Sequence, residues 1–157
     1  MPHPQHSDSA SPQATIPSDA QPRILVIEDD LPIQELLAET FIDAGYQVIS
    51  TDLGGEGLML IDTCAPDLVT VDLQLSDVRG ERVIEHIRRY RTTRALPVVI
   101  ISAASTIPAD VRAWADAVVT KPFNLDALLA LIHSIIPQSD LTLASARQPD
   151  LERQVGS

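Results

Sequence analysis

At 157 residues, with 45% hydrophobic but only 3% aromatic side chains, the chain can bury one aliphatic core of Leu, Ile, Val and Ala. Its formal net charge of -11 opposes direct binding to nucleic acid or to an anionic membrane. The lone Cys64 excludes an internal disulfide, no apolar run approaches the ~18 residues that span a bilayer, and the N-terminus lacks a signal-peptide pattern, so a cytoplasmic location is expected.

Residues 1–22 hold five of the twelve prolines, many Ser and Gln, and no Lys or Arg. Too little apolar surface is available there to offset the entropy of ordering, so a disordered extension is expected. Residues 138–157 are polar again and too few for another domain, which leaves a body at 23–137. In that body five short apolar, largely β-branched runs are predicted strands: Ile24–Ile27, Gln47–Ser50, Leu68–Val71, Val98–Ile101 and Ala117–Val119. Between the first two, Ile33, Leu36, Leu37, Thr40, Phe41 and Ala44 keep helical spacing, and Gly45 supplies a stop. Gly54–Cys64 is a weaker helix because three glycines crowd its start. Val83, Ile84 and Ile87 mark the next helix, and Leu125, Leu128, Leu129 and Ile132 the last. Strands that read apolar on both faces and alternate with helices predict an α/β domain with a covered parallel sheet.

Ligands of such sheets sit beyond the carboxyl ends of the strands. After the first run come Glu28, Asp29 and Asp30; after the third, Asp72; after the fourth, Ser102; after the fifth, Lys121. Converging carboxylates repel one another unless a cation sits among them, and an oxygen-lined site with few protein ligands suits Mg2+. Lys121 is the only lysine beside ten arginines, which points to a need for a compact ammonium, paired with Asp72 or with a phosphoryl oxygen. The Ser102 hydroxyl can donate to such an oxygen, and Asp72 is left as the nucleophile. Asp30, just before Leu31-Pro32, is better read as the N-cap of the first helix than as a metal ligand.

Together these stretches resemble the receiver domain of two-component response regulators: Ile24-Leu25-Val26-Ile27-Glu28-Asp29-Asp30; Val71-Asp72-Leu73-Gln74-Leu75-Ser76-Asp77 with Gly80; Val99-Ile100-Ile101-Ser102-Ala103; and Thr120-Lys121-Pro122-Phe123. The resemblance covers residues 23–137 and implies a flavodoxin-like, doubly wound five-stranded parallel sheet in the order 2-1-3-4-5. It implies that Glu28, Asp29, Asp72 and the backbone carbonyl of Gln74 hold Mg2+. It also implies that Asp72 takes phosphate from a histidine kinase or phosphotransfer protein, and that Ser102 and Lys121 bind that phosphate. The chain would then be a signalling switch rather than an enzyme with a separate substrate. Its output would pass through contacts with a downstream protein, and a homodimer is left open. A cis Lys121–Pro122 bond is likewise implied.

Four features depart from the family pattern. Ser76 stands where proline is usual and should loosen the loop after Asp72, and Ser102 replaces the commoner threonine. Val118 takes the switch position where an aromatic is usual. The stretch between Ser102 and Lys121 is shorter by about one helical turn. A stunted or poorly ordered helix with a weaker response to phosphorylation is expected there; the competing explanation is that Trp114 or Phe123 takes over as the moving ring. Arg79, Arg82, Arg88, Arg89, Arg91 and Arg94 could dock an acidic partner, but a solvated face balanced by Glu81 and Glu85 is favoured. The four histidines show no metal-ligand spacing. Two rival functions fit the sequence less well. A haloacid dehalogenase-like phosphatase would need a second Asp where Gln74 stands. A degenerate receiver serving only as a binding module would not retain Asp29, Asp72, Ser102 and Lys121.

Overall fold

The computed structural model describes residues 21–136. The predicted N-terminal extension, except Gln21 and Pro22, and the predicted C-terminal tail lie outside them. Strands and helices alternate: β1 (Arg23–Ile27), α1 (Leu31–Asp43), β2 (Gln47–Thr51), α2 (Gly54–Cys64), β3 (Leu68–Val71), α3 (Gly80–Arg89), β4 (Val98–Ser102), α4 (Ala109–Trp114), β5 (Ala117–Thr120) and α5 (Leu125–Ile135). All pairings are parallel, in the order β2-β1-β3-β4-β5. The chain thus winds outward in both directions from β1 and β3, and the carboxyl ends of these two strands lie side by side at the switch point. Among the described residues, no helix is long and apolar enough to cross a membrane.

Two cores cover the sheet. On one face Leu37 and Phe41 of α1 and Leu128 and Ile132 of α5 pack on Ile24, Val26 and Val99. On the other, Ile61 of α2, Val83, Ile84 and Ile87 of α3, and Val111 of α4 pack on Leu25, Ile27, Val69 and Ile100. The expectation that all five strands are buried on both faces holds for β3 and β4 and nearly so for β1, but not for the other two. β2 and β5 are mostly half-buried, because each is an edge strand with a neighbour on one side only.

Local chemistry explains the helix ends. Asp30 accepts from the Ile33 amide at 3.3 Å and caps α1, with proline in the first turn. Gly45 takes φ of 97° just beyond α1, a conformation that costs a side chain dearly. Leu36 departs from the predicted apolar face. It is 43% exposed, on the side of α1 that looks toward the strand ends. α4 is the stunted helix that the short Ser102–Lys121 stretch predicts, only six residues long.

The arginine group divides as its local partners dictate. Arg88 is structural: it donates to the carbonyls of Trp114 at 2.8 Å, Arg94 at 3.1 Å and Leu96 at 2.6 Å, and pairs with Asp116 at 3.0 Å. Arg89 pairs with Glu85 one turn earlier at 3.1 Å, and Arg79 reaches Glu81 only at 4.0 Å in solvent. The solvated-face reading therefore describes part of the group and misses the anchoring role of Arg88.

Candidate functional site

The switch point gathers the side chains that follow the central strands. Glu28 is 1% exposed at the end of β1, Asp72 is 5% exposed at the end of β3, and Asp29 is half-buried beside them. One carboxylate oxygen from each lies within 4.8 Å of the others. Lys121 follows β5 and reaches across β4 to this group. Its Nζ donates to Glu28 Oε1 and Oε2 at 2.9 and 2.8 Å and to Asp72 Oδ2 at 2.9 Å. The other Asp72 oxygen, Oδ1, accepts from the Gln74 amide at 3.0 Å, so the carboxylate is oriented from both sides.

The sequence placed Lys121 against Asp72 but gave no sign that it also bridges Glu28. That bridge does not neutralise the group. Three carboxylates against one ammonium leave two negative charges when all are ionised. Burial, reinforced by the charge of Asp72, pushes the Glu28 carboxyl up to about 7, against the opposing hydrogen bond from Lys121. Burial alone would depress the Lys121 ammonium, but its bonds to Glu28 and Asp72 prevail and raise it above the ordinary lysine value. The Asp29 carboxylate takes no hydrogen bond among the described residues. A compact set of hard oxygens with surplus negative charge fits a divalent cation of the Mg2+ type, which retains waters and needs few protein ligands.

Above these groups opens a cleft of about 780 Å3 lined by Glu28, Asp29, Asp72, Gln74 and Lys121, with an apolar rim from Ile33, Leu36, Phe123 and Leu125. Ser102 does not line it. This residue is buried at the end of β4, and its Oγ accepts from the Ala104 amide at 3.2 Å, which leaves the hydroxyl proton free to be donated. Val118 sits one strand away, in register with Ile100 and packed into the core that holds α3 and α4. Trp114 shares that core, whereas Phe123 packs on the opposite face of the sheet. Of the two substitute rings, only Trp114 is therefore on the side of Val118. The Lys121–Pro122 peptide is cis.

Two further residues shape the site. Gly80 opens α3 directly beneath the end of β3, and a Cβ there would lie 2.2 Å from the Asp72 carbonyl oxygen. Its amide donates to the Leu73 carbonyl at 3.1 Å. Asp77 accepts from the Gly54 and Gly55 amides at 2.9 and 3.0 Å, and the bond from Gly55 is the main reason its carboxyl is held below the usual range. Sequence reasoning missed Asp77. Its partners lie more than twenty residues earlier, and no local pattern links an Asp in one loop to a glycine pair at the start of another helix.

Comparison with known proteins agrees with this geometry. The family model of the response regulator receiver domain matches residues 24–133. The DNA-binding dual master transcriptional regulator RpaA of Synechocystis is 32% identical over 136 residues, covering 85% of this chain and 56% of that protein. The cell cycle transcriptional regulator CtrA of Caulobacter vibrioides is 34% identical over 120 residues, 74% of this chain and 51% of that one. The chain thus spans about half the length of the curated relatives it matches. Among solved structures, the response regulator TrrA of Thermotoga maritima, in complex with Mg2+ and BeF, is 29% identical with a TM-score of 0.68, over 73% of this chain and 99% of that one. A chemotaxis protein of Vibrio cholerae, at 23% identity and a TM-score of 0.67, covers 73% of this chain and 98% of its own, and shares the fold. A strand order of 2-1-3-4-5, the four matching motifs and a family match over nearly all the described residues have one meaning: the chain belongs to the response regulator receiver domain family, whose members act in signal transduction.

Proposed function

We propose that the chain is a phosphorylation switch in which the Asp72 carboxylate accepts a phosphoryl group from a histidine kinase or phosphotransfer protein. A carboxylate oxygen attacks phosphorus, the P–N bond of the phosphohistidine breaks, and the imidazole departs with the bonding electrons. Glu28, Asp29, Asp72 and the Gln74 carbonyl would hold Mg2+, which supplies positive charge to the transferring group. Lys121, already 2.9 Å from Asp72, places its ammonium where a phosphoryl oxygen must come to lie. Ser102, with its hydroxyl proton free, is the second donor.

The observation that carries this reading is the Lys121 bridge between Asp72 and Glu28 at the floor of an open cleft. The Mg2+ and BeF bound by TrrA, a relative of the same fold, support it. Output would pass by contacts to a downstream protein. Incubation with acetyl phosphate and Mg2+, read by intact mass, tests the proposal. One hydroxylamine-labile phosphoryl adduct is expected, and it should vanish in Asp72→Asn. An undiminished adduct in that variant would overturn the assignment.

A further inference from the structure

The loop between β3 and α3 carries Gln74, yet Ser76 stands where a proline would stiffen it. Something else must hold this loop in place. At its near end Gln74 is tied to Asp72, and at its far end the Gly80 amide is tied to Leu73. Between them, the middle of the loop touches α2. Leu75, Val78 and Val83 pack so closely on Gly54 that a Cβ there would lie 3.1 Å from Leu75 Cδ1. The Asp77 carboxylate spans the same junction, one oxygen on the Gly54 amide and one on that of Gly55. Those are the first two amides of α2, donors that have no partner within the helix, and Leu53 at the N-cap provides no side-chain acceptor.

We propose that Asp77 is a positioning residue for the cation site: by binding the opening amides of α2 it fixes the loop that presents the Gln74 carbonyl beside Glu28, Asp29 and Asp72. The clamp acts in place of the missing proline. A ring would restrict the loop from within, whereas Asp77 moors it from outside to a helix seated on the core. Asp77 itself contacts no reacting atom. The two ordered ends transmit its effect: two residues separate it from Gln74 on one side and two from Gly80 on the other. This inference rests on the reading of the carboxylate cluster as a Mg2+ site.

Calorimetric titration of the full chain with MgCl2, well below the melting temperature, tests it. Asp77→Ala should weaken Mg2+ binding by about tenfold, the lower end of the range for residues that orient metal ligands. Asp77→Asn loses the charge but keeps one acceptor, so its affinity should lie closer to wild type. Asp67→Ala removes a carboxylate that accepts from the Arg23 amide at the opposite end of the sheet, and should leave Mg2+ affinity unchanged. Wild-type affinity in Asp77→Ala would overturn the inference. So would an equal loss in Asp77→Asn and Asp77→Ala, which would make the effect one of charge, or an equal loss in Asp67→Ala, which would make it one of general stability. Absence of Mg2+ binding by the wild-type chain would instead overturn the underlying reading of the site.

Discussion

Replacing Gly80 with alanine should damage both stability and phosphorylation, because two pieces of backbone meet at this residue. The new Cβ would lie 2.2 Å from the Asp72 carbonyl oxygen, 2.7 Å from Leu73 Cα and 3.0 Å from the Asp72 carbonyl carbon. Neither side can yield by turning a side chain, so α3 and the end of β3 must separate by about 1 Å to restore ordinary contact. Overpacking of buried sites costs about 1–3 kcal/mol, and opposed backbones place this one at the upper end. Removing a glycine from a helix returns at most about 1 kcal/mol. The net loss is about 2 kcal/mol, which lowers Tm by roughly 5–10 °C in a domain of this size. Because the separation starts at Asp72, the rate of phosphorylation by acetyl phosphate should fall by about tenfold even where the variant is fully folded. Thermal melting and intact-mass time courses at low temperature measure the two effects. A variant that melts with wild type and phosphorylates at the same rate would refute the close-approach argument.

Three other outcomes follow from single residues. The Glu28 carboxyl, raised from 4.5 to about 7, keeps its proton in the fold where the unfolded chain has lost it. Its stabilising contribution is therefore full below pH 4.5 and lost as pH rises through about 7. Denaturant unfolding in chelator should show this decline and lose it in Glu28→Gln, while Mg2+ binding to wild type tightens over the same window and releases protons; an unchanged slope in the variant would contradict the assignment. Thr70, 1% exposed in β3, has an Oγ1 with no hydrogen-bond partner among the described residues, so Thr70→Val should stabilise the fold by ~1–2 kcal/mol in urea unfolding. Ala65 ends α2 at φ 45° and ψ 63°, a left-handed conformation that strains a Cβ. Ala65→Gly should gain about 0.5 kcal/mol after the larger unfolded-state entropy of glycine is subtracted.

Legibility in the sequence tracked how local each cause was. Leu68–Val71 is apolar without interruption and returned as a fully buried strand with the predicted bounds. Asp30 declared itself through the Leu31-Pro32 that follows, and the short segment after Ser102 foretold the six-residue helix. Leu36 misled because helical spacing marks a face but not where that face ends, and here it overhangs the cleft. The edge positions of β2 and β5 were hidden because apolar residues occupy both of their sides while only one neighbouring strand is present. At the site, position after a strand was enough to gather Glu28, Asp29, Asp72 and Lys121. The bridge from Lys121 to Glu28 and the hold of Asp77 on α2 depend on packing between distant segments. So does the left-handed turn at Ala65, a residue type with no preference for it.

The brevity of α4 has a mechanical consequence. At six residues it is about 9 Å long, against about 16 Å for the eleven-residue α5, so for the same tilt its tip travels little more than half as far. The carbonyl of its last residue, Trp114, is held by the Arg88 guanidinium, which also grips Leu96 and Asp116. A lever that is short and lashed at its end transmits little displacement. Under the proposed phosphorylation of Asp72, a partner that distinguishes the two states would read the rim of the cleft and the loop after Ser102 instead of sensing a helix that swings.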